Sequence, residues 1–82
     1  MIMLKKAEAR ILVLLSQIGE EYRTPRMIAA KLRMDYPYVL QILANLRAQS
    51  WVQIEKYGIK SYYFLTKKAP LKEAKENLLE KG

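Results

Sequence analysis

The sequence predicts a small α+β fold that is mainly helical and contains one β-hairpin, in the order helix, helix, helix, strand, strand, helix. Two observations support this fold class. Apolar residues recur at spacings of three and four over most of the chain, which is typical of amphipathic helices. From Trp51 the spacing changes to two, and the residues become aromatic and β-branched, as strands prefer. The 82 residues leave room for a single domain, predicted over residues 1–82.

The first helix is predicted at about residues 4–18, and Gly19 is placed to end it. Its apolar stripe is expected to contain Leu4, Ala7, Ile11, Leu14, Leu15 and Ile18. Leu12 and Val13 fall outside this stripe, so apolar side chains cover much of the helix surface. Because one small domain would have difficulty covering so wide a surface, we expect part of it to lie between two subunits.

Two short helices are predicted within residues 24–49. Thr24 suits the N-cap of the first of them and Pro25 its first turn, where a missing N–H costs nothing. This helix should run to about Arg33. Asp35 is the expected N-cap of the next helix, which should end near Gln49. Its buried face is expected to consist of Val39, Ile42, Leu43 and Leu46.

A β-hairpin is predicted over about residues 51–66, with a turn over 57–60 that contains Gly58. Pro70 then begins a last helix over about residues 70–81. The apolar side of this helix is expected to contain Leu71, Ala74, Leu78 and Leu79.

The formal net charge is +7, and all of the excess lies in the middle of the chain. Residues 22–68 carry nine cations, which are opposed only by Asp35 and Glu55. Residues 1–21 and 69–82 each carry equal numbers of acidic and basic side chains. A basic segment between two neutral ones favours a surface that faces a polyanion. A lysine-rich, solvated surface is the alternative.

The residue types that are missing exclude several function classes. With no Cys and no His, the chain cannot build a Cys/His zinc site or the common nucleophile–base pairs. Three glycines are too scattered for a phosphate-binding loop. We therefore expect no enzyme activity, no metal and no cofactor. No signal segment or span of about 20 apolar residues is visible, so a cytoplasmic protein is expected. A domain this small without a disulfide or metal also favours a homodimer.

Four short segments, taken in order and at their spacing, match the pattern of one known family. They are Ile28–Leu32, similar to L-A-x-x-L; Val39, Leu43 and Leu46, similar to V-x-x-x-L-x-x-L; Trp51–Val52, similar to L-V or L-I; and Tyr62–Lys67, similar to y-y-x-L-T-x-x-G. Over about residues 7–69 the chain thus resembles the winged helix-turn-helix transcription regulators, in particular the compact MarR-like and ArsR-like groups.

Ala69 stands in place of the glycine that ends the last of these patterns. The sequence also departs from that family at two positions where the family often has glycine, which are Arg33 between the two short helices and Ser50 before the hairpin. If the backbone is left-handed at either position, a residue other than glycine costs on the order of 1 kcal/mol.

The resemblance implies that the third helix, over 35–49, enters the major groove of DNA. The hairpin tip, over 56–60, would lie on the backbone or in the minor groove. A rotation of about 100° per residue places Gln41 opposite the apolar face of the third helix and Asn45 on its flank. The amides of both can make bidentate contacts to adenine. The expected DNA-contacting residues are Arg26, Arg33, Tyr36, Pro37, Tyr38, Gln41, Asn45, Arg47, Lys56, Tyr57 and Lys60.

The five cations of this set are expected to contact phosphates, because such contacts need only charge and reach. Tyr36 and Tyr38 can reach phosphates through their hydroxyls or thymine methyl groups through their rings. Tyr57 can rest on a sugar at the hairpin tip. Ala44 and Ala48 are small enough to allow a close approach to the groove wall.

The function that these features favour is a sequence-specific, double-stranded DNA-binding transcription regulator, acting as a dimeric repressor. The first and last helices would form the dimer contact; the alternative folds the last helix back on its own domain. Two other functions stay open: a winged-helix module that contacts protein or RNA, and an architectural DNA-binding protein without sequence preference. No small-molecule ligand is indicated.

Overall fold

The computed structural model describes residues 3–79, and it confirms the α+β class and the element order. The elements are α1 (Lys6–Leu15), a 3-10 helix (Glu20–Tyr22), α2 (Pro25–Leu32), α3 (Tyr36–Ala48), β1 (Val52–Tyr57), β2 (Lys60–Leu65) and α4 (Leu71–Leu79). The range predicted for the last helix extends to Glu80 and Lys81, which lie outside the described residues. Over residues 3–79, no helix has both the length and the apolar character needed to cross a bilayer.

The first helix ends earlier than predicted, and Gly19 does not end it. The hydroxyl of Ser16 donates to the Val13 carbonyl at 2.6 Å, so a short polar side chain takes an acceptor of the last turn. Ser16 is the C-cap of α1. Gly19 instead precedes the 3-10 helix, with an extended backbone that any residue could adopt.

Much of the wide apolar surface of α1 is covered within the chain, although Val13 and Leu14 are only partly buried. The expectation that part of this surface lies between two subunits stays a prediction. α1 contacts α2, α3, α4 and β2. Ile11, Leu12 and Leu15 are buried, so Leu12 belongs to the core although it lies off the predicted stripe. Since core residues surround α1 on several sides, a single stripe is too narrow a description of its buried surface.

The last helix folds back on its own domain and lies along α1. Ala74 is fully buried between the helices, and the side-chain amide of Asn77 donates to the Leu4 carbonyl at 2.8 Å. The ammonium of Lys6 in turn donates to the Asn77 carbonyl at 2.5 Å. Leu79, predicted on the apolar side, is 81% exposed. The dimer itself stays a prediction, with less apolar surface left to form it.

The α2–α3 unit follows the sequence closely. The Thr24 hydroxyl accepts from the Met27 N–H at 3.4 Å and caps α2. Arg33 ends this helix in the left-handed region, with φ 55°. From α1, Arg10 donates to the Leu32 carbonyl at 2.6 Å, which satisfies an acceptor at the end of α2. Asp35 occupies the N-cap of α3, although its side chain makes no capping hydrogen bond.

Strands β1 and β2 form an antiparallel hairpin, which we call the wing (residues 52–65). Tyr57 pairs with Lys60, so the turn spans the predicted residues 57–60, with Gly58 and Ile59 as its two central residues. Gly58 has φ 63° and Ile59 does not have a positive φ, which is the pattern of a type II′ turn. One face of the wing packs on the core through Val52, Ile54, Tyr63 and Leu65.

The base of the wing is attached directly to the end of α3. Ser50 adopts a left-handed conformation with φ 66°, and its carbonyl accepts from the Thr66 hydroxyl at 2.5 Å. The N–H of Thr66 donates to the Trp51 carbonyl at 3.0 Å. These bonds fix where the wing leaves the helical core.

Candidate nucleic-acid interface

The outward surface of α3 is accessible along its whole length. The four residues predicted to face the core are all buried, and they occupy one side of the helix. Every other residue of α3 is exposed. The predicted contact residues Tyr36, Pro37, Tyr38, Gln41, Asn45 and Arg47 therefore all lie on free surface.

Two rows of side chains run along this outward surface at the four-residue spacing of helical neighbours. One row contains Pro37, Gln41 and Asn45, and it presents two amide groups. The neighbouring row contains Leu40, Ala44 and Ala48, and it is entirely apolar. Sequence reasoning assigned Leu40 no contact. The same rotation map could have marked it, because it places Leu40 beside Ala44.

The start of α2 lies against the start of α3 through Arg26 and Tyr36. The guanidinium carbon of Arg26 is 4.8 Å from the centre of the Tyr36 ring, a cation–π contact. Both residues remain exposed. The structure thus brings one predicted phosphate-contacting cation next to the N-terminal end of the predicted groove-binding helix.

Two further predicted cations flank α3. Arg33 is exposed in the turn before it. Arg47 is exposed in its last turn. Burial raises the pKa of the Tyr63 phenol, and the positive charge of Arg47 acts in the opposite direction. Since Tyr63 belongs to β2, Arg47 lies near enough to the wing to influence it electrostatically.

At the wing tip, Lys56 and Lys60 are both exposed but project from opposite faces of the hairpin. Lys56 is paired with Ser61 and Lys60 with Tyr57, and adjacent pairs of an antiparallel ladder alternate between faces. The side chain of Ile59, which sequence reasoning left without a role, is fully exposed between them. The tip therefore combines two cations with one apolar side chain.

Tyr57, the predicted sugar contact, already has partners within the wing. Its hydroxyl donates to the Glu55 carboxylate at 2.9 Å, and its ring meets the Tyr62 ring edge-to-face at 5.5 Å. The hydrogen bond and the negative charge of Glu55 raise the pKa of the Tyr57 phenol. Its contact with DNA stays a prediction. To donate to a phosphate, the hydroxyl would first have to break its hydrogen bond to Glu55.

Arg23, one of the nine central cations, is not available to a ligand as the exposed cations are. Its guanidinium donates to the carbonyls of Ile18, at 3.0 Å, and Tyr63, at 3.3 Å. It also lies 4.8 Å from the centre of the Phe64 ring. The Tyr63 N–H donates back to the Arg23 carbonyl at 3.0 Å. Arg23 therefore holds β2 against the loop before α2.

An open groove of about 410 Å³ separates the 3-10 helix from the outer face of the wing. It is lined by Glu20, Glu21, Tyr57, Tyr62 and Phe64. Sequence reasoning missed this groove, because no local pattern connects the acidic pair with aromatic residues of a distant hairpin. Glu20 and Glu21 thus place negative charge beside the outer face of the wing, on which Lys60 lies as the partner of Tyr57.

The helical pair, the exposed α3 surface and the attached hairpin define a winged helix-turn-helix protein, as the sequence predicted. The solved structure of ZitR from Lactococcus lactis, wild type in complex with DNA, is similar to this chain with a TM-score of 0.75 and 28% identity. The match covers 94% of this chain but 52% of ZitR, so the chain spans about half the length of that protein.

Two other solved structures share the fold. The adhesin competence repressor AdcR from Streptococcus pyogenes has a TM-score of 0.75 and 23% identity, covering 92% of this chain and 57% of AdcR. AF1382 from Archaeoglobus fulgidus has a TM-score of 0.73 and 20% identity, covering 98% of this chain and 94% of AF1382. No protein-family model matches the sequence, and no curated protein matches it significantly.

Proposed function

We propose that this protein binds double-stranded DNA sequence-specifically and regulates transcription as a repressor, with α3 in the major groove and the wing tip beside it. The observation that carries the proposal is the accessibility of α3, whose exposed surface is flanked by the exposed cations Arg26, Arg33 and Arg47. If α3 were buried in the core, or if these cations lay on unrelated faces, the protein would present no basic helical surface to DNA.

The electrostatics support a polyanionic partner. Of the nine cations between residues 22 and 68, only Arg23 is directed into the protein by hydrogen bonds to two carbonyls. Lys31 lies with its ammonium 4.5 Å from the centre of the Tyr22 ring and remains exposed. Phosphate contacts from such side chains position a protein on DNA, while amides on the helix read the bases.

The similarity to solved proteins supports the same function. ZitR, which shares 28% identity with this chain, has been solved in complex with DNA. AdcR, which shares the fold, is named as a repressor. A repressor needs only to occupy a promoter, and the described residues form one winged helix-turn-helix unit for that task.

A titration of DNA binding against salt tests the proposal. If four or more cations contact phosphates, the logarithm of the binding constant should fall with the logarithm of salt concentration with a slope of about −4 or steeper. Two duplexes are compared, one selected for tight binding to this protein and one of random sequence. Gln41→Ala should reduce the difference in affinity between them, while Lys60→Ala should weaken binding to both alike. Fluorescence anisotropy with both duplexes measures each effect.

Lys72→Ala is the matched control, because Lys72 is exposed on α4, away from the proposed interface. It should leave both the affinity and the salt slope close to those of the unsubstituted protein. Equal affinity for selected and random duplexes would overturn the regulator while leaving DNA binding intact. A reversed pattern for Gln41→Ala and Lys60→Ala would show that the groove assignment is wrong.

A further inference from the structure

The outward surface of α3 presents apolar groups to solvent where a reading helix meets base edges. Leu40 is 38% exposed although it is a large apolar side chain, and Ala44 and Ala48 extend its row along the helix. Nothing in the described part of the chain covers this row. An exposed apolar row on one side of a short helix favours a contact with apolar groups of a ligand.

The adjacent row supplies hydrogen-bonding groups of one kind. Gln41 and Asn45 are exposed and carry neutral amides, which pair bidentately with the N6 and N7 atoms of adenine. Between Tyr36 and Ala48 the only charged residue is Arg47, in the last turn of α3. The N-terminal half of the helix, which enters the groove in this architecture, therefore lacks the Arg or Lys that commonly reads guanine.

These two rows match the major-groove edge of A·T pairs. Adenine offers N7 and N6, and thymine offers a C5-methyl group, on the same edge. We propose that α3 recognises an A·T-rich half-site, in which Leu40, Ala44 and Ala48 contact thymine methyl groups and the two amides contact adenines. The inference rests on the proposed function and names the class of duplex that the site takes.

The wing tip is compatible with the same class of duplex. A-tracts have a narrow minor groove with an enhanced negative potential, which attracts inserted cations. Lys56 and Lys60 are exposed on opposite faces of the tip, so both walls of a narrow groove are within reach of a cation. The fully exposed Ile59 between them offers the apolar contact that minor-groove proteins often use.

Short duplexes that differ in defined groups of one groove separate the contributions of the two grooves. Alternating dA-dT, dA-dU and dI-dC duplexes serve as probes. Uracil lacks only the thymine methyl group, and an I·C pair combines an A·T-like minor groove with a G·C-like major groove. The dA-dT duplex should bind most tightly, and dA-dU should bind about fourfold more weakly for each methyl group contacted. The dI-dC duplex should bind weakly.

Substitution of Leu40 tests the residue assignment. Leu40→Ala should reduce the ratio of dA-dT to dA-dU affinity, and Leu40→Met should largely restore it, because methionine replaces the lost contact area. Met3→Ala removes a large apolar side chain that is 89% exposed ahead of α1 and should leave the ratio unchanged. Circular dichroism confirms that each variant remains folded.

The possible outcomes distinguish the inference from the function on which it rests. Equal binding of dA-dT and dA-dU, or dI-dC binding as tight as dA-dT, would overturn thymine-methyl reading by α3 while DNA binding stands. Failure to bind any of the duplexes at low salt would overturn the proposed function itself. A graded loss from dA-dT to dA-dU that depends on Leu40 supports the inference.

Discussion

At two positions a residue other than glycine occupies the left-handed region of the backbone, Arg33 with φ 55° and Ser50 with φ 66°. Both positions were expected to be strained if left-handed, because a Cβ atom is crowded in that region of the backbone. The two residues contribute differently to their surroundings. Arg33 places an exposed cation in the turn before α3, whereas the Ser50 carbonyl accepts the Thr66 hydrogen bond that attaches the wing.

Ser50→Gly should therefore raise the free energy of unfolding by about 0.5 kcal/mol. Relief of the left-handed strain outweighs the larger backbone entropy that glycine brings to the unfolded chain. Urea unfolding followed by circular dichroism measures the change. Gln49→Gly is the matched control: Gln49 is right-handed, with φ −81°, so glycine should lower stability there. A loss of stability in both variants would contradict the strain at Ser50.

At the scale of elements, the sequence predicted best where a local signal acts alone. Thr24 and Pro25 give α2 its correct beginning, and the apolar spacing of α3 identifies its four buried residues. The end of α1 was missed, because the competition of the Ser16 hydroxyl for a helix carbonyl looks no different in sequence from an ordinary polar surface residue. The role of Arg23 was missed because its partners lie in other elements.

The outer face of the wing supports a prediction about pH. The hydrogen bond to Glu55 and the charge of Glu55 hold the pKa of Tyr57 above its ordinary value of 10.0. The fold thus favours the neutral phenol, and this contribution to stability is present below pH 10 and is lost as the pH rises through the raised pKa. Glu55→Gln should lower the pKa of Tyr57 towards its ordinary value. Nuclear magnetic resonance titration of the labelled tyrosine ring carbons measures it.

The control for this titration is Glu76→Gln, which removes an exposed carboxylate from α4. It should leave the pKa of Tyr57 unchanged, and Tyr57→Phe identifies the signal. If Tyr57 titrates at the same pH with Gln at position 55, the hydroxyl is not held by that carboxylate in solution. Tyr57 would then be free to donate to a phosphate.

At the scale of the whole molecule, the main difference from expectation is how completely one chain covers its own core. The composition of α1 predicted an excess of apolar surface, but α2, α3, α4 and β2 surround it. Sequence periodicity could not show this, because it describes one helix at a time and carries no information on how many neighbours surround it. The remaining exposed apolar residues near the chain ends, Met3 and Leu79, are few.

The proposed homodimer is testable through one of these residues. If α1 and α4 form the dimer contact, Leu79→Lys should shift the protein from twice its 9.6 kDa mass towards the monomer, because a buried ammonium without a partner is costly. Sedimentation equilibrium measures the shift. Ile59→Lys, at the wing tip, should not change the mass. A protein that is already monomeric at micromolar concentration would rule out the dimer.

The strand β2 is held at two points, by Arg23 at its middle residue Tyr63 and by the Ser50–Thr66 bond where it leaves the wing. If α3 and the wing both contact DNA as proposed, the attachment of the wing to the end of α3 fixes the spacing between the two contacts. A duplex that gained one base pair between the two contacted segments would turn by roughly 34° between them. The hydrogen bonds at the base of the wing oppose that rotation, so in the proposed complex the protein would set the length of its half-site.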